Sequence, residues 1–113
     1  MSHIRPSQRQ LEALVTQYQA GRFSDAIKLA TSLTVEFPDH EIGWKVLGAA
    51  LKQTGRIEES LVAKKKSVEL APDDAEAHNS LGITLQDLGQ LIDAEASFRH
   101  AIALKPNLAE AHN

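Results

Sequence analysis

Five histidines and two adjacent aspartates are the residues of this chain whose types most readily do chemistry. Two imidazoles on one helix meet a transition metal when they stand four residues apart, because that spacing sets both on one face. No pair among His3, His40, His78, His100 and His112 has it. His78 and His112 occupy equivalent points of two repeated segments. Asp73 and Asp74 could divide general acid and base work, but they stand where a helix should begin, and the helix dipole favours acids there. Lys64, Lys65 and Lys66 could anchor an acidic partner. Consecutive helical residues fan around the axis, however, so the three make no single patch and are expected on a solvated surface. No glycine loop cradles a phosphate and no G-x-S-x-G elbow is present. Without cysteine there is no disulfide and no thiolate metal site. The expectation is a chain that does no catalysis alone and uses no metal and no cofactor.

The elements that carry these residues are set by a repeat. Gly89, Gly55 and Gly21 follow one another at a step of 34, as do Ala94, Ser60 and Ala26, and Pro106, Pro72 and Pro38. Ala109-Glu110-Ala111-His112-Asn113 repeats Ala75-Glu76-Ala77-His78-Asn79. Within the first unit, Leu11, Leu14, Val15 and Tyr18, and then Phe23, Ala26, Ile27, Ala30, Leu33 and Phe37, fall at helical spacing on either side of Gly21. A glycine can take the left-handed turn between two helices, and Pro38 forces the residue before it out of the α region. Applied three times, this predicts helices near 7–20, 24–37, 41–54, 58–71, 75–88 and 92–105. The fold class is all-α, tandem antiparallel helix-turn-helix repeats. Residues 1–6 are a lead-in, 7–40, 41–74 and 75–108 are three repeats forming one domain over 7–108, and 109–113 are the truncated start of a fourth. Asp73 with Glu76, and Asn107 with Glu110, resemble helix-start boxes.

Charge narrows the partners. Twelve lysines and arginines against fifteen aspartates and glutamates leave a net charge of −3 over 113 residues. Taken singly, no repeat is net basic, so a nucleic-acid surface is not expected. No apolar run reaches the length of a signal core or a membrane span, so a cytoplasmic chain without a membrane partner is expected.

Trp44-x-x-Leu47-Gly48-x-x-Leu51 and His78-x-x-Leu81-Gly82-x-x-Leu85, with Ala94-x-x-x-Phe98 and Pro106, resemble the tetratricopeptide repeat. The resemblance covers residues 7–108 and the five that follow. It implies a right-handed superhelix whose first helices line a concave groove, with Gly48, Gly82, Ala26, Ser60 and Ala94 allowing close helix approach and Phe98 filling a wedge between repeats. There are departures. Leu14 replaces the glycine and Leu33 the alanine of the first repeat, which predicts a splayed helix pair. Lys64 replaces the aromatic wedge of the second, and is expected to lay its stem on the core with its ammonium in water, leaving that repeat thinly packed.

The groove the resemblance implies is lined by Gln8, Glu12, Tyr18 and Gln19 in the first repeat, Lys45, Lys52 and Gln53 in the second, and Glu76, Asn79, Ser80, Gln86 and Asp87 in the third. Its mixed, amide-rich character suits an extended peptide or protein segment. The carboxylate clamp of some family members needs Lys, Asn and Asn where this chain has Lys45, Ala49 and Ser80, so that clamp is rejected. The asparagine ladder of O-linked N-acetylglucosamine transferases needs Asn where this chain has Glu12, Val46 and Ser80. A protein-binding scaffold is therefore the leading expectation. The alternative is the N-terminal recognition segment of a larger bacterial enzyme, a glycosyltransferase of that type or a sulfotransferase, because WKVLGAALKQTGR and PDDAEAHNSLG resemble repeats that precede such domains. An uncapped last repeat should also favour self-association through its C-terminal helix.

Overall fold

The computed structural model describes residues 5–106 as six helices: α1 (Gln8–Gln19), α2 (Phe23–Glu36), α3 (Glu41–Gln53), α4 (Ile57–Leu70), α5 (Ala75–Asp87) and α6 (Leu91–Leu104). Each falls within a residue or so of the span predicted from the period. The punctuation is the expected one. Gly21, Gly55 and Gly89 have φ of 77°, 82° and 76°, and turn each first helix into its second. Phe37 and Ala71, each before a proline, leave the helical region at φ −130° and −131°.

The helix starts differ in detail from expectation. Ser7 and Gln10 form a reciprocal capping box on α1 that the sequence reading did not single out. On α5 the cap is Asp74 rather than Asp73: its carboxylate accepts from the Ala77 amide at 3.1 Å. The lead-in ends in order, with Pro6 buried. Met1–Ile4 with His3, the expected Asn107–Glu110 box, His112 and the expected fourth-repeat start at 109–113 lie outside the described residues.

Close approach inside each pair follows from side-chain volume. A Cβ on Gly82 would lie 2.7 Å from the Phe98 ring, and a Cβ on Gly48 would lie 2.7 Å from Cγ of Lys64. In the first repeat the volumes are exchanged: Leu14 is fully buried where the others have glycine, and Ala30 is fully buried where they have Phe98 or Lys64. This inversion keeps the first pair packed, although α1 against α2 makes the sparsest contact of the three pairs, as the splay expectation required. Two clusters of buried side chains result. The larger joins the first two repeats through Leu14, Ala26, Leu33, Phe37, Leu47 and Leu51, and the smaller sits in the third around Leu81, Leu85 and Ala94, with Leu61, Val68 and Phe98 against it.

Lys64 overturns two expectations. It is only 4% exposed, so its ammonium is not in water, and α3 meets α4 as closely as α5 meets α6. The reason is a partner across the repeat junction. Nζ donates to Oγ1 of the fully buried Thr84 at 2.7 Å. Among the described residues no helix is long and apolar enough to cross a membrane.

Candidate interaction groove

First helices neighbour one another along one side of the array, α1 touching α3, and α3 joined to α5 by two ion pairs. Lys45 Nζ stands 2.7 Å from Asp74 Oδ2, and Lys52 Nζ stands 3.7 Å from Asp87 Oδ2. Asp74 thus closes two things at once: it caps α5 and holds α3. Burial would raise its pKa, but the hydrogen bonds from Lys45 and from the Ala77 and Glu76 amides outweigh it and hold the carboxyl below its usual value.

Between these ion pairs lies a cavity of about 160 Å³ lined by Lys45, Ala49, Lys64, Ser67, Glu76, Ala77 and Ser80. Of the twelve expected groove residues it brings together Lys45, Glu76 and Ser80. Lys52 and Asp87 join each other beside it. Gln53 and Gln86 are exposed at the C-terminal ends of α3 and α5. Asn79 is half-buried, with an Oδ1 that finds no partner. In the first repeat, Gln8 Nε2 donates to Glu12 at 3.1 Å and Gln19 is exposed. Tyr18 packs edge-on against Phe23, ring centroids 5.4 Å apart, so it serves the α1–α2 turn.

Residues the sequence reading left out of the groove are Asp74, Lys64, Ser67, Ala49 and Ala77. For Asp74 a signal existed: it is the acceptor of the Asp73–Asp74 pair nearest the start of α5, opposite a lysine on the preceding first helix. For Ser67 there was none, since a serine on a second helix reads as surface until its burial at 2% is seen.

Of the histidines, His78 is held in a packing contact. His78 Nε2 lies 2.9 Å from the Pro72 carbonyl oxygen, and its ring stacks on that of His100 at 5.1 Å. Trp44, one repeat earlier, donates its indole N–H to the Pro38 carbonyl at 2.8 Å. The same latch therefore ties each of these first helices to the proline turn before it. Among the described residues no group of three potential ligands could hold a metal.

Paired helices joined by left-handed glycines, stacked so that first helices share one side, define a helical-repeat solenoid. Residues 65–96 match the tetratricopeptide-repeat family model, and the fold of the chain is the tetratricopeptide-repeat fold. It is similar to the Yersinia enterocolitica type III secretion chaperone SycD in complex with a peptide of the translocator YopD: TM-score 0.83, 21% identity, 93% of this chain and 82% of that one. It is also similar to the first tetratricopeptide repeat domain of Spaghetti (RPAP3) bound to the HSP90 peptide SRMEEVD, with TM-score 0.83, 19% identity, and 91% and 84% covered. MamA AMB-1 is similar at TM-score 0.76 and 23% identity over 81% of this chain and 54% of its own length. At these identities the likeness is one of fold. No curated protein matches the chain.

Proposed function

We propose that this chain is a non-catalytic interaction module that holds an extended segment of a peptide or protein partner in the groove of its first helices, in the cytoplasm. The observation that carries the reading is the cavity between α3 and α5, where Lys45, Glu76 and Ser80 converge beside apolar Ala49 and Ala77. Exposed amides flank it at Gln53 and Gln86. A strip of this kind offers main-chain hydrogen bonds to an extended segment and a pocket for one of its side chains. Two solved proteins of the same fold are peptide complexes, which supports the reading. Nucleic acid and membrane are poor partners for a chain of net charge −3.

The test is a displayed library of random heptapeptides selected on the immobilised chain, with the bound peptides mapped by amide chemical shifts. Shifts confined to α1, α3 and α5 are expected. Shifts confined to the outer faces of α2, α4 and α6 would sink the groove assignment.

A further inference from the structure

Lys64 places a charge inside this molecule without a countercharge. Its stem passes over Gly48, and Nζ donates to Thr84 Oγ1 at 2.7 Å and to the Ser80 carbonyl at 3.4 Å. Both acceptors are neutral. Among the described residues no carboxylate stands within ion-pair distance of it. The nearby acids are committed elsewhere: Asp74 to Lys45, and Asp87 to Lys52. One turn along the same helix, Ser67 is 2% exposed, and its hydroxyl has no hydrogen-bond partner. Lys64 and Ser67 line the same cavity of about 160 Å³, with Ala49 and Ala77 as apolar walls and Lys45, Glu76 and Ser80 completing it.

A buried ammonium with only neutral acceptors, beside a buried hydroxyl with a proton to give, lacks an anion. We propose that the cavity takes the side-chain carboxylate of a single aspartate or glutamate within the partner segment, bound by the Lys64 ammonium and the Ser67 hydroxyl. This rests on the groove reading above and names what the groove selects. The arrangement is not the clamp rejected from the sequence. Two of that clamp's three positions hold Ala49 and Ser80, and the cation here comes from a second helix, at the wedge position. Glu76 lines the same cavity, has no ion pair among the described residues, and repels a second acid. The preferred segment therefore carries one acid among neutral neighbours.

A proton dependence follows. Burial first and the Lys52 charge second, partly offset by Asp87, bring the Lys64 pKa down to about 8; Lys45, Asp74 and Glu76 are the other charged groups around the cavity. A carboxylate binds the charged form, so affinity is level between about pH 5, where the ligand carboxyl is ionised, and about pH 8. Above it, affinity falls up to about tenfold per pH unit as the free protein loses that proton.

The probe is N-acetylglutamate methylamide at up to about 100 mM, against its glutamine counterpart, with the Lys64 Cε signal and the Ser67 amide followed by NMR. Saturable shifts with the glutamate compound alone, and an upward move of the Lys64 titration midpoint, are expected. Ser67→Ala should leave the melting temperature unchanged, because its hydroxyl bonds nothing in the protein, and weaken binding about tenfold. Lys64→Met should abolish binding without lowering the melting temperature, since Thr84 can turn its hydroxyl to the Ser80 carbonyl one turn back. Equal response to the glutamine compound, or no saturable shift, overturns the proposal, as does binding that survives Ser67→Ala undiminished. The library experiment is independent of this one: peptides that map to the groove yet show no preference for an acid would remove the carboxylate site and leave the groove.

Discussion

At the scale of single residues, volume decides the spacing of each helix pair. Gly82 is required because a methyl group there would meet Cε1 and Cδ1 of Phe98 at 2.7 and 2.8 Å, and that ring packs against the cluster of Leu81, Leu85 and Ala94. Alanine would add up to about 1 kcal/mol of helix propensity, but overpacking costs about 1–3 kcal/mol, so the clash wins. Gly82→Ala should lower stability by about 1 kcal/mol in urea unfolding, and the same change in a Phe98→Leu background should cost less. An equal cost in both backgrounds would mean that Phe98 is not what the glycine makes room for. Leu14 opposite Ala30 shows the alternative solution already in use, the bulk moved from the second helix to the first.

At the scale of helices, the junction between the second and third repeats is held by charge as well as by packing. Asp74 has its pKa depressed in the folded chain, so the stability it contributes is full above its unfolded pKa of about 3.9 and is lost as the pH falls through the lower folded value. Between pH 5 and 2.5 the melting temperature should fall more steeply for the native chain than for Asp74→Asn, which keeps a capping side chain and lacks the titrating charge. Identical slopes would remove Asp74 from the account. This junction also marks where the sequence stopped being legible. Helix spans could be read almost to the residue, because left-handed glycines and prolines act locally and recur in phase. Lys64 could not be read, because a lysine alone is expected to carry its ammonium to water. Thr84, twenty positions on and across the junction, keeps it inside together with the Ser80 carbonyl. The groove was half legible for the same reason. Lys45 and Glu76 follow from helix phase, whereas Ser67 enters through the stacking of one repeat on the next.

At the scale of the whole molecule, the chain is a short stack, 43 × 28 × 21 Å, with a radius of gyration of 14.1 Å against about 13 Å for a globule of this length. Among the described residues the main helix contacts run within a repeat and between adjacent repeats, so stability is a sum over pairs and junctions, and it need not be lost in one step. The latch that ties Trp44 to the Pro38 carbonyl now has an optical consequence. Trp44 is the sole tryptophan, and the equivalent position one repeat later is His78, which does not emit. Indole emission therefore reports the joint between the first two repeats and is blind to the third, while ellipticity at 222 nm weighs all six helices alike. With α1 the most thinly held helix beside that joint, the emission midpoint in guanidinium should come at lower denaturant than the ellipticity midpoint. Coincident curves would show that the three repeats melt as one unit, in which case the single indole would speak for the entire stack.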